Sequence, residues 1–357
     1  MKYNNKIYIP CLLPYPEDTV PGQRFRWEQW ESLLKKKNIF LNKIYFSDNF
    51  FINLKNNKNI FILIYYFYLY IKFSALIILN CNKSTFVIFR NCTIGGPPII
   101  EIFLKLIGKK LIFDFDDAIQ YGSENNNNWF FSNFIRCDWK IKIIIKISNL
   151  VIAGNENLKK FAYRFNKNVK VIPTTIDINK YKFKKKNISK NLTIGWSGSL
   201  STSKYIENFL PILFKIQKKK KFKILIIGSK LNIKNKDINC LEWSSKNELK
   251  YLNQIDVGLM PLPNNLWTRG KCGLKILQYL SFGIPSLVSN VGINSEIIEN
   301  GKNGYLIDNK NQWEIYLKKF LNNPKLITKM GSYGRKVVKK NFSNFAIINS
   351  LSSILRI

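Results

Sequence analysis

WTRGKCGLKILQYLSFGIP, residues 267–285, places a glycine turn bearing Arg269, Lys271 and Lys275 directly ahead of an apolar run with helical spacing. Burying a helix start needs no such concentration of positive charge. A helix N-terminus presents unpaired amides and the positive end of the helix dipole. An anion lying there explains the pattern, and phosphate is the usual one. Two more glycine turns lie upstream, GWSGSLSTSK (195–204) and IIGSK (226–230), each closing a β-rich run. Each alone is a weak signal, because glycine turns are common. Three at strand carboxyl ends, two of them followed by lysine, predict one phosphate-binding crevice.

Around these turns, short β-rich runs alternate with longer helical patterns. In the first half KIYIPCLL precedes the helix-like RFRWEQWESLLKKK. TFVIFRN, IIEIFLKLIG, KKLIFDFDDA, an Asn-rich loop, a helical stretch, LVIAG and VKVIPTT follow. In the second half NLTIGWSGS, YIENFLPILFKIQKK, FKILIIGS, INCLEW, SKNELKYLNQI, DVGLMPL, LKILQYLSFG and PSLVSN repeat the alternation. The pattern predicts an α/β protein of two tandem doubly wound domains with parallel sheets. Their expected limits are 1–176 and 192–338, with a polar linker at 177–191 and a last helix in 339–357 returning to the first domain. Such folds bind ligands at strand carboxyl ends, so a cleft between the domains is the expected site.

The chain has 357 residues with 57 Lys and Arg against 22 Asp and Glu, a net charge of +35, and no histidine. Lacking histidine excludes Ser-His and Cys-His catalysis and argues against a catalytic zinc. The six scattered cysteines (Cys11, Cys81, Cys92, Cys137, Cys240, Cys272) form no CxxC pair. With no signal peptide in view, they read as reduced thiols of a cytoplasmic protein. Lys, Asn and Ile are enriched together along the whole chain, as biased codon usage produces. Arginine forks and a patterned basic face, which nucleic-acid readers use, are missing, so no nucleic acid is expected. An anionic membrane surface fits the charge, and the aromatic-rich helix around Arg24, Arg26 and the lysines 35–37 is a candidate contact. IFILIYYFYLYIKFSALIIL (60–79) is long enough to span a bilayer and carries only Lys72. With a strand-like run close behind, it reads as a buried or membrane-resting helix.

The second half resembles the nucleotide-sugar domain of family 4 glycosyltransferases, which have the GT-B fold of two Rossmann-like domains facing a cleft. The resemblance rests on GWSGS…K, CLEW, the long run from DVGLMPL through RGKCGLKILQYLSFGIP to NGYLI, and MGSYGRKVV. PYPEDTVPGQRFRWEQW, IFDFDDAI, VIAGNENLKKFAYRF and VIPTTID resemble the acceptor domain of a bacterial surface-glycan branch. The resemblance implies a retaining hexosyltransferase that uses a nucleotide-diphospho-sugar and needs no metal or other cofactor. The family's Arg-x4-Lys pair falls on Ser199 and Lys204, so only the lysine is kept. Its two glutamates fall on Gly270 and Gln278; the amide of the second can still reach the ribose. Lys271, Cys272, Gly273 and Leu274 match the segment facing sugar and diphosphate, Gly198 and Gly228 belong to the other two turns, and the base is expected near Trp243. Arg269, Lys271 and Lys275 can replace the missing arginine, although Lys275 also reads as a solvated helix face.

In the first half, Asp116 and Asp117 follow an apolar strand and are the candidates to orient an acceptor hydroxyl; a helix cap is the other reading. Gly22, with Arg24 or Arg26, is placed on the acceptor side, against the plainer reading of a loop before an amphipathic helix. Asn155 and Glu156 line the same side or cap a helix. The acceptor is expected to be a surface glycan or lipid-linked glycan at the inner face of the plasma membrane. Two rivals stand: a GT-B-fold nucleotide-sugar epimerase, and a non-catalytic basic protein that binds membrane or nucleic acid.

Overall fold

The structure is a computed structural model that describes residues 5–57, 60–121, 137–183, 191–231, 235 and 237–356. The Asn-rich loop and most of the expected linker lie outside the described residues. The chain divides into two compact units, one of residues 1–174, 270–272 and 347–357, the other of 175–269 and 273–346.

Unit one carries a sheet of β1 (Ile7–Leu13), β2 (Ile39–Tyr45), β3 (Thr85–Phe89), β4 (Lys110–Phe115), β5 (Leu150–Ala153) and β6 (Val169–Val171) in the order β2-β1-β3-β4-β5-β6. All its pairings are parallel. Strands such as β3 and β5 are apolar on both faces because helices cover both. On one face Trp27, Trp30 and Leu34 join Ile347, Leu351 and Leu355 over Ile9, Cys11 and Val87. The chain reverses direction across the sheet between β1 and β3, which leaves a crevice at their carboxyl ends.

The helix after β1 corrects one expectation. Arg24–Glu28 is a π-helical turn, continued by the helix Gln29–Lys35, and its Phe25, Trp27 and Trp30 are buried. The aromatic side chains of this helix are core, so they are not a membrane contact.

Unit two carries β7 (Thr193–Ser197), β8 (Lys223–Ile227), β9 (Ile238–Leu241), β10 (Val257–Met260), β11 (Ser286–Ser289) and β12 (Gly304–Ile307), all parallel, in the order β12-β11-β10-β7-β8-β9. Its direction reverses between β7 and β10. The core runs from Ile194, Trp196 and Ile226 to Leu259, Leu287 and Phe320. Two edge strands, β2 and β12, are not legible in the sequence. β2 has an interrupted burial pattern, and β12 is a four-residue strand between turns. No disulfide joins the six cysteines.

Candidate functional site

In unit two the glycine turns meet where the sheet reverses. Gly198, just past β7, donates its N–H to Ile227 O at 2.9 Å, tying the first turn to the end of β8. Gly228 has φ +90°, and a Cβ there would strike Gly198 O and lie 3.4 Å from the Trp243 Cβ. Only glycine meets both demands. The third turn ends at Gly273, a left-handed cap (φ 67°) that starts the helix Leu274–Ser281. From its first turn Lys275 reaches across: its Nζ stands 4.3 Å from the Trp196 ring centroid and 2.6 Å from where a Gly198 Cβ would be. Lys275 is therefore half-buried at the glycine turns and not on a solvated face. Leu274 is its half-buried neighbour.

Lys204, also half-buried, lies in the helix Ser203–Glu207 that follows the first turn, its Nζ 5.5 Å from the Tyr205 ring. Ser199 is exposed at the start of the 3-10 turn Leu200–Thr202, where its carbonyl accepts from Thr202 N. Arg269 is exposed at the end of the helix Leu266–Arg269, with Nε donating to Asn264 Oδ1 at 2.7 Å.

Gln278 is buried, and its amide nitrogen donates to Tyr181 Oη at 3.2 Å and to Glu248 Oε1 at 3.1 Å. That carboxylate oxygen also accepts from Trp243 Nε1 at 3.1 Å. The amide expected to reach a ribose is thus bonded within the protein, and Glu248 is the carboxylate beside Trp243. Sequence reasoning missed Glu248. Its signal was the cap Ser244, whose Oγ accepts from Asn247 N and which fixes the start of the helix Ser245–Leu252.

In unit one Asp116 and Gly22 come together. Arg90, at the end of β3 in a left-handed conformation (φ 53°), donates from Nε to Asp116 Oδ1 at 2.6 Å and stands 3.5 Å from Asp117 Oδ2. A Cβ on Gly22 would collide with the Arg90 guanidinium and lie 2.8 Å from Asp116 Oδ2. Neighbouring Asp116 and Asp117 hold the guanidinium charged, pushing the pKa of Arg90 up against the cost of burial. Lys271 Nζ lies 4.0 Å from Asp117 Oδ1. Arg90 is a second residue the sequence did not single out.

Arg26 does not face an acceptor. It is fully buried, gripping Asp114 through Nε (2.8 Å) and Nη2 (2.6 Å) and donating from Nη1 to Ile172 O (2.9 Å). Trp27 Nε1 adds a third bond to Asp114 at 2.6 Å. Its neighbour Arg24 pairs with Asp18 at 2.6 Å. Asn155 caps the helix Glu156–Ala162, Oδ1 accepting from Leu158 N at 2.8 Å, while Nδ2 donates to Gly270 O and Lys271 O at 3.0 and 3.1 Å. Glu156 is exposed and pairs with Lys159 at 3.5 Å. Cys272 is buried beside Gly154, and burial with the nearby Asp116 pushes its thiol pKa up. Gly270 is buried, and a Cβ there would strike Ala118. A glutamate does not fit this backbone.

Two glycine turns, a lysine and a helix start thus lie together at the reversal point of a doubly wound sheet. Residues 177–337 match the family model described as glycosyl transferases group 1. The described residues have the GT-B fold. It superposes on sucrose-phosphate synthase from Thermosynechococcus elongatus with TM-score 0.70 at 12% identity, covering 99% of this chain and 98% of that one. Against Anabaena Alr3699/HepE in complex with UDP and glucose the TM-score is 0.67 at 13% identity, covering 98% and 99%. A glycosyltransferase from Rickettsia africae ESF-5 gives 0.67 at 17%, covering 99% and 98%. Among curated proteins, spore coat protein SA of Bacillus subtilis (strain 168) is 32% identical over 80 residues, which are 22% of this chain and 21% of that protein.

Proposed function

We propose that this group 1 glycosyltransferase match reflects a retaining, metal-independent enzyme of the family 4 type. It moves a sugar from a nucleoside-diphosphate donor to a glycan or lipid-linked glycan acceptor in surface polysaccharide synthesis. The observation that carries the reading is the convergence of Gly198, Gly228 and Lys275 at the reversal point of the second sheet. Breaking the bond between sugar and diphosphate puts a second negative charge on the departing terminal phosphate. Fixed cations and helix amides aimed at that charge lower the barrier without reorganising. Lys275 at Gly198, Lys204 after the first turn and the amides of Leu274 and Lys275 supply those charges. Trp243 and Glu248 are the groups offered to the base and ribose.

On the acceptor side Asp116, held by Arg90, and Asp117, beside Lys271, are the carboxylates that can orient a hydroxyl. The work is assigned to the cytoplasmic side of an anionic membrane, where the lipid-linked acceptor and the basic chain meet.

The test is a thermal-shift panel of UDP, GDP, ADP and their sugar conjugates in EDTA, on the wild type and Lys204→Ala. A ligand at about 100 times its Kd adds about 2.7 kcal/mol, which is roughly 5–10 °C for a domain of this size. One nucleotide should stabilise the wild type without metal, with most of the shift lost in the variant. No shift with any nucleotide, or an undiminished shift in Lys204→Ala, overturns the reading.

A further inference from the structure

The helix Ile62–Leu79 touches its own unit along one stripe. Leu69, Phe73 and Ile77, four residues apart, are its buried side chains, and Phe73 packs edge-on to Phe46 at 5.5 Å. That stripe lays the helix lengthwise on the unit. Tyr65 and Tyr66 flank that stripe, bonded to Asp48 and Gly95 O, and most of the other side chains are apolar and exposed. Leu63, Ile64, Phe67, Ile71, Ile78 and Leu79 are exposed, Ile64 at 70% and Phe67 at 67%, with Lys72 the helix's single charge.

A helix of similar length in the same chain shows the contrast. Lys325–Asn341 turns Lys325, Lys329, Lys336, Lys339 and Lys340 to solvent, as a water-facing helix should. The compositional bias toward lysine therefore does reach exposed helix positions, yet it gives 62–79 only Lys72.

The apolar face does not stop at one helix. The connections β2→β3 and β3→β4 run the same way across the sheet, so right-handed crossovers put Ile62–Leu79 and Ile99–Leu106 on one face of it. The second helix exposes Ile99, Ile102, Phe103 and Leu106. Contiguous apolar surface beyond a few hundred Å² marks an interaction site on a soluble domain.

Charge selects the occupant. From 49 to 113 the sequence has eight Lys or Arg and one acid, Glu101, which is buried against Cys92. Arg90 among them is paired with Asp116, and two copies of a face flanked by the remaining lysines repel one another. An anionic headgroup layer over an apolar interior complements both features.

We propose that the face made by the helices Ile62–Leu79 and Ile99–Leu106 is the surface by which this protein lies on an anionic bilayer. The long helix rests in the membrane plane, its outward side chains entering the headgroup–acyl boundary by about 5–10 Å. Lys72 sits at the headgroup level, its stem along the apolar surface. This makes specific the membrane part of the reading above and stands without its transfer chemistry.

Vesicle flotation tests it, with phosphatidylcholine alone and with about 30% phosphatidylglycerol added. The variant is Ile64→Glu/Phe67→Glu/Ile71→Glu, three exposed positions. Wild type should float with the anionic vesicles and far less with the neutral ones. The variant should lose at least tenfold in affinity while keeping its melting temperature and any nucleotide-induced shift, so failure here and failure of the transferase reading stay distinct. Equal flotation of the variant, or a wild type that ignores anionic vesicles, overturns the proposal. So does a concentration-dependent dimer in sedimentation that the variant abolishes, since a second copy would then cover the face. If the variant does not fold by circular dichroism, the wild type in rising salt decides. Binding must weaken with salt, and binding indifferent to both salt and lipid charge overturns the proposal.

Discussion

Replacing Gly270 with glutamate installs the side chain that the resemblance to family 4 glycosyltransferases implies at this position, yet the surroundings of Gly270 predict loss. A Cβ there would run into the Ala118 Cβ and stand 3.0 Å from Ala118 N and 3.1 Å from its Cα. Two of the three obstacles are backbone, so no rotamer relieves them. Reaching an ordinary carbon contact of about 3.5–4.0 Å from the Ala118 Cβ requires a backbone shift of roughly 1 Å or more. The segment is tied down by the bonds from Asn155 to Gly270 O and Lys271 O, which resist that shift. Overpacking by one methyl costs about 1–3 kcal/mol, and for a domain of this size that lowers Tm by roughly 2–12 °C. Gly270→Ala measured by calorimetry should fall in that range, and Gly270→Glu should fall further and gain no activity. Adding Ala118→Gly removes one obstacle and leaves the backbone contacts, so the double variant should recover part of the loss, with a coupling of at least about 0.5 kcal/mol. A Gly270→Ala protein melting within about 1 °C of wild type, or a Gly270→Glu protein with raised transfer rate, would refute the reasoning.

Arg26→Ala should leave the Asp114 carboxylate buried without its guanidinium and lower stability in urea by about 3–5 kcal/mol; an unchanged midpoint with weakened acceptor binding would restore the acceptor role. Glu248→Ala strips the acceptor from Trp243 Nε1 and Gln278 Nε2, each lost bond costing about 1–3 kcal/mol. Its expected signature in calorimetric titration is weaker binding of a nucleoside diphosphate with pyrophosphate binding unchanged, and equal weakening of both would argue against a ribose-side role.

Much of the fold was legible because the α/β alternation repeats in both halves, and β5, β8 and β10 are largely apolar runs bounded by polar or glycine turns. β2 was not, because IFLNKIY carries its lysine and asparagine at an edge where one side meets water. The glycine turns were legible as turns, since Gly228 and Gly273 take conformations other residues avoid. Their common destination was not: Gly198 and Lys275 are far apart in sequence, and only the parallel pairing of β7 with β8 and β10 brings their loops to one end.

Side-chain fate was the least legible layer. PGQRFRWEQW reads as an amphipathic helix with exposed arginines, and nothing local says that Arg26 turns inward. Its partner Asp114 lies on β4, so the ion pair exists only once the sheet has formed. Gln278 likewise meets Glu248 and Tyr181 through packing between distant segments. The amino-acid order by itself determined which segments are strands, which turns need glycine and where positive charge gathers, because those follow from local sterics and periodicity. The tertiary structure decided which charges are buried in pairs, which glycine has no room for a side chain and which apolar helix is left uncovered, because each depends on what the rest of the chain packs against it.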